Sequence, residues 1–73
     1  MNKEFNYLKE GLTTDLIQFI INDYGMDFQS AMNTLYESAT FSKFSDPSTG
    51  LYFQSSPYVY TFLQNELETG KIN

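Results

Sequence analysis

No cysteine, histidine, arginine or tryptophan occurs in the 73-residue sequence, and its positive charge is confined to four lysines. Without cysteine no disulfide can staple the chain, and without cysteine or histidine the usual zinc ligand sets cannot form. The serine and threonine hydroxyls lack their customary base, so hydrolytic triads are excluded, and no Gly-rich phosphate loop is present. Neither enzyme activity nor a cofactor is expected. Lys3, Lys9, Lys43 and Lys71 are scattered against nine acidic residues, for a net charge of −5. No basic patch can form from them, which argues against nucleic acid and anionic membrane surfaces as partners. Long apolar runs are also missing: residues 16–21 are interrupted by Gln18 and fall far short of the roughly 20 residues a bilayer span needs. Residues 1–10 carry two lysines and two glutamates around Phe5, Tyr7 and Leu8, with no apolar core behind them, unlike a signal peptide. A cytoplasmic protein is the expectation.

What the chain does have is bulk. Hydrophobic residues make up 41% of it, and seven Phe and six Tyr offset the missing Trp. A chain this short buries only about 60% of its unfolded surface, so it forms one domain held by apolar packing or self-association.

Glycines, prolines and capping residues divide the sequence into elements. Phe5, Leu8 and Leu12 have helical spacing, but Gly11 interrupts them, so residues 1–12 read as a short N-terminal helix or arm and residues 13–70 as the helical domain. Thr13 or Thr14 is placed to cap a helix running to Tyr24, with Asp15 in its first turn and Gly25 as its stop. Leu16, Ile17, Phe19, Ile20, Ile21 and Tyr24 cover more than one stripe of that helix, so it is either central or shares a second face with a partner. Asp27 is the expected cap of a second helix, whose inward stripe is Phe28, Ala31, Met32, Leu35 and Tyr36, and the short link makes the two a helical hairpin. A turn or two of helix started by Thr40 holds Phe41 and Phe44. Residues 46–50, Asp-Pro-Ser-Thr-Gly, form a turn. Leu51, Tyr52, Phe53 and Gln54 read as an extended segment packed on the helices, since no second strand is available to pair with them. Ser56 and Pro57 start the last helix, with Val59, Phe62, Leu63 and Leu67 facing inward, Gly70 ending it and residues 71–73 as a tail. The fold class is therefore all-α: a small domain of three to four helices with a Pro/Gly turn and a short extended segment before the last helix.

Several groupings could carry chemistry. Asp23 and Asp27 flank the Gly25 turn but read as capping and solvated groups. Glu66 and Glu68 sit near a helix C-terminus, where the dipole disfavours them, and read as a solvated face or a site for a basic partner. Residues 46–50 lack the alternating oxygen ligands and closing glutamate of a calcium loop. The most distinctive stretch is aromatic: Phe41, Phe44, Tyr52, Phe53, Tyr58, Tyr60 and Phe62 surround the Pro/Gly turn. Either these rings close the core from below, or Tyr52, Tyr58 and Tyr60 line a protein-binding patch, tyrosine being enriched at binding hot spots.

Leu35-Tyr36-Glu37-Ser38, residues 46–50 with Leu51-Tyr52, Gln54-Ser55-Ser56-Pro57-Tyr58-Val59-Tyr60 and Glu66-Leu67-Glu68-Thr69-Gly70 together resemble small uncharacterised proteins of gut-type bacteria, over residues 14–70. The resemblance implies an accessory protein encoded near other short genes, of the toxin–antitoxin or mobile-element kind. It carries no activity, cofactor or site residue. Two functions remain: an interaction module or homodimer acting through an aromatic and acidic surface, and an antitoxin-like acidic inhibitor of a basic protein partner.

Overall fold

In the computed structural model, residues 3–70 are described and fold as an all-α domain of four helices: α1 (Lys3–Tyr24), α2 (Phe28–Tyr36), α3 (Ala39–Phe44) and α4 (Ser56–Thr69). No strand occurs among the described residues. The expected tail, residues 71–73, lies outside them.

α1 is a single helix of 22 residues and runs straight through Gly11. At about 1.5 Å per residue it spans about 33 Å, the whole long axis of a molecule measuring 35 × 24 × 19 Å. The division of the chain at residues 12 and 13 is therefore corrected, and the reason is phase. Leu12, Leu16 and Ile20 follow one another at i, i+4 and i+8, all buried, and Phe5 and Leu8 continue the same stripe backwards, half-buried. Glycine within a helix costs about 1 kcal/mol, whereas burying a large apolar side chain gains about 1.5–3 kcal/mol. Gly11 itself is exposed, with nothing within 4 Å of where a side chain would begin. Thr13 is consequently a mid-helix residue whose hydroxyl donates to the Lys9 carbonyl at 2.7 Å.

Gly25, at φ +66°, ends α1 as expected, and Asp27 caps α2 by accepting the Ser30 N–H at 3.2 Å. The two helices form a hairpin. Only Ala31 and Leu35 of the expected α2 stripe are buried in the core; Met32 packs against it, while Phe28 and Tyr36 are 59% and 48% exposed. Ser38, rather than Thr40, caps α3: its hydroxyl oxygen accepts the Phe41 N–H at 3.0 Å while its proton goes to the Leu35 carbonyl at 2.6 Å.

The Asp46–Gly50 turn is built as expected, with Asp46 accepting from the Ser48 N–H and hydroxyl at 3.0 and 2.8 Å and Gly50 left-handed at φ +70°. The next residues are not extended. Leu51–Phe53 form a tight 3-10 turn, closed by Phe53 N–H to the Gly50 carbonyl and Gln54 N–H to the Leu51 carbonyl at 3.2 and 3.1 Å. That winding turns Tyr52 inward against Phe5 and sends Phe53 outward. Extended backbone is limited to Gln54 and Ser55. Ser55, not Ser56, caps α4, which frees Ser56 to donate to Asp15 of α1 at 2.5 Å. With Tyr60 bonded to Asp23 and Tyr24 to Glu68, this pairing sets α4 parallel to α1. Val59, Tyr60 and Leu63 are its buried residues, with Phe62 and Leu67 only half-buried.

Glu66 is not a solvated residue. Its carboxylate accepts the Ala39 N–H at 2.7 Å, the Thr40 N–H at 3.0 Å and the Thr40 hydroxyl at 2.8 Å, tying the start of α3 to α4 across 26 residues of chain. Thr40 is fully buried, so water cannot readily replace this acceptor. Glu66→Ala is expected to cost roughly 2–3 kcal/mol in urea unfolding, the range for losing charged hydrogen bonds and leaving buried donors unmatched. Gly11→Ala should instead stabilise by about 0.5–1 kcal/mol, measured the same way.

Candidate functional site

Tyr52, Tyr58 and Tyr60 do not form one surface. Tyr52 and Tyr60 are each 7% exposed, whereas Tyr58 is 49% exposed. Tyr52 is held edge-on against Phe5, with centroids 4.8 Å apart, and stacks on Phe53 at 4.3 Å. Tyr60 leans on Phe19 at 4.9 Å, and its hydroxyl donates to Asp23 at 2.7 Å, with the Phe19 carbonyl at 3.3 Å. Tyr58 stands outside on α4, edge-on to Phe62. The proposed patch is thus divided: two of its rings close the core and one stays at the surface. The inward winding of residues 51–53 accounts for Tyr52, and a hydrogen-bond partner on α1 accounts for Tyr60.

Exposed aromatic surface lies along the hairpin, at Phe28 and Tyr36, and beside residues 52–56, at Tyr7 and Phe53. A groove of about 570 Å³ runs between α1 and the α2–α3 segment. Its α1 wall follows one helical face from Asn6 to Ile21, which puts its length at about 22 Å. That wall is polar at the Asn6 end and apolar at the Ile17 and Ile21 end. Opposite stand Phe28, Met32 and Tyr36, spaced four residues apart on the edge of α2, followed by Phe41. Tyr36 and Phe41 are in ring contact at 4.9 Å, and the Lys9 ammonium sits 5.5 Å from the Phe41 ring centre and 5.9 Å from that of Phe5. A cation held over two rings is drawn to their negative faces, so the lysine here is satisfied within the molecule.

A second, smaller groove of about 410 Å³ separates α1 from residues 52–56. Tyr7 and Phe53 edge it, 76% and 61% exposed, but Thr14, Asp15, Ser55 and Ser56 give it a polar lining. The first groove is the larger of the two, and its apolar residues are gathered at one end. Phe28 and Tyr36 were expected to face inward, and the available signal was the second apolar stripe on α1. Ile17, 7% exposed, belongs to the core and Ile21 is half-buried against it, so the two α2 rings are left at the rim of the groove.

A polar cluster occupies the end where α1 and α4 both terminate. The Tyr24 hydroxyl donates to Glu68 at 3.3 Å, close to the Tyr60–Asp23 bond. Burial, then the Asp23 hydrogen bond and charge, push the Tyr60 phenol well above its ordinary value; Tyr24 is raised as well, by burial first and then by Glu68. Asp27 is held below the usual carboxylate range by its Ser30 hydrogen bonds, as is Asp46 by those from Ser48. No group of three or more acidic, histidine or cysteine side chains among the described residues could hold a metal ion, and no described helix is long and apolar enough to cross a membrane.

Comparison with protein-family models, curated proteins and solved structures finds no match.

Because the Tyr60 phenol is raised in the folded state, its stabilising effect is complete below the ordinary tyrosine value near 10 and is lost as pH rises past it. Tyr60→Phe should therefore flatten the loss of stability above about pH 10 while costing about 1 kcal/mol at neutral pH through the lost hydrogen bond. Denaturant midpoints across alkaline pH, with Tyr58→Phe as the exposed control, check this.

Proposed function

We propose that the chain is a non-catalytic protein-interaction module whose docking surface is the groove between α1 and α2. One observation carries this: Phe28 and Tyr36 lie half-exposed on the same edge of α2, with Met32 between them, facing the apolar Ile17 and Ile21 of α1. Aromatic rings with one face packed and one free lose little conformational freedom on binding, which is why such rings dominate interface energies. A helical hairpin with aromatic rings along the rim of a groove also matches the way a groove accepts one further helix, through anchors spaced three and four residues apart. The polar end at Asn6, Lys9 and Glu10 would fix the register of the docked segment, and the apolar end would supply its affinity.

Photo-crosslinking tests the assignment. Benzoylphenylalanine replacing Phe28 or Tyr36, in cells that make the protein, should give one discrete adduct that the same group at the exposed Pro57 does not. The purified adduct partner should bind the Phe28→Ala/Tyr36→Ala double variant at least about tenfold more weakly, the loss of a modest hot spot, with the protein still folding cooperatively because both rings are half-exposed. Equal adducts at all three positions, or unchanged affinity for the double variant, would remove the groove from consideration.

A further inference from the structure

Resting on the groove as the docking surface, we infer that its occupant is a basic amphipathic helix of another protein, one with an apolar stripe bordered by lysine or arginine. The charges around the groove lead there. Glu10 lies on its α1 wall, Asp27 directly precedes Phe28, and Glu37 directly follows Tyr36; all three are exposed. In the lining itself Glu10 stands beside one cation, Lys9, placed over the Phe41 and Phe5 rings, and Asp27 and Glu37 add two exposed carboxylates next to the α2 rings.

The wider field has the same sign. α1 and α4 run parallel and end together beside Asp23 and Glu68, and neither has a basic residue in its last turn, so two helix C-termini add their partial negative charge to that of the carboxylates. The groove's apolar end, at Ile21 and Phe28, follows directly on this region in the chain. A docked helix that seats its apolar stripe there has its flanks over acidic surface, and basic flanks gain from that field where acidic ones are repelled. A second copy of the chain cannot supply such flanks. Its four lysines are dispersed, no two fall on one amphipathic face together with an apolar stripe free of the core, and its net charge of −5 opposes self-association.

The probes are two synthetic helices of about 15 residues, the length of the α1 wall, sharing one leucine stripe and differing only in lysine or glutamate flanks. They are titrated into the labelled protein and followed by amide NMR shifts. The lysine-flanked helix should shift residues along the groove, bind at least about tenfold more tightly than the glutamate-flanked one, and weaken by a similar factor as the Debye length shrinks from ~30 Å at 0.01 M salt to ~3 Å at 1 M. Glu10→Lys/Glu37→Lys, two exposed changes, should abolish the preference. Equal binding of both helices in the groove would overturn the charge assignment and leave the groove reading standing. Shifts confined to the Asp23 and Glu68 end would overturn the inference as mere charge attraction. Failure of either helix to move any groove residue would count against the groove itself. Light scattering that shows a dimer, lost in Phe28→Ala/Tyr36→Ala, would give the groove to a second copy instead.

Discussion

The structure depends on one constraint: a 22-residue helix as long as the molecule has to be covered by much shorter elements. α4, with 14 residues, reaches about 21 Å along it, and α2, with nine, about 14 Å. Neither covers the first turns of α1, so that part is met by the Leu51–Phe53 turn, whose Tyr52 closes over Phe5. The second apolar edge of α1 is buried at Ile17 and only partly covered at Ile21. The groove is the geometric remainder of that mismatch in lengths.

Shortage of positive charge shapes the polar contacts. Of the nine acidic residues, six accept hydrogen bonds from uncharged donors: Asp15, Asp23, Asp27, Asp46, Glu66 and Glu68. A carboxylate that cannot find lysine or arginine is stabilised by hydroxyl and backbone N–H groups, which are less costly to desolvate than an ammonium. The result is a set of directional ties between helices. Ser56 to Asp15 and Tyr60 to Asp23 fix the parallel register of α1 and α4, while Glu66 anchors α3, a helix too short to hold itself. These bonds leave the carboxylates charged, so the surface stays acidic even though most of its acids are engaged.

Much of this could be read from the sequence where local chemistry decides conformation. Gly25, Asp27, Asp46, Gly50 and Gly70 occupy the turn and cap positions their side chains favour, and the all-α class follows from the helical spacing between them. Local reasoning failed where two local options were nearly equal and a distant contact chose. Ser55 and Ser56 are both good caps, and the partner on α1 selects which one serves. Gly11 is a plausible break until Phe5 is given Tyr52 to pack on. The segment at 51–53 has strand-like residues, yet without a neighbouring strand its backbone groups are satisfied more cheaply by a tight turn. That choice decided the site, because a 3-10 turn buries Tyr52 where an extended chain would have displayed it. Glu66 looked unfavourable near a helix C-terminus, and nothing local shows that another helix begins beside it.

At the proposed docking groove the same balance sets apolar attraction against the like charge of an acidic surface. An open apolar seam of this size would by itself attract any exposed hydrophobic segment, including another copy. Like charge on every copy raises the cost of that encounter, and the effect acts before contact, over a Debye length of about 8 Å at physiological salt. Acidic partners meet the same barrier, whereas basic ones are drawn in. In the proposed docking, apolar area supplies the strength of attachment, and the carboxylates of Glu10, Asp27 and Glu37 favour a partner with basic flanks.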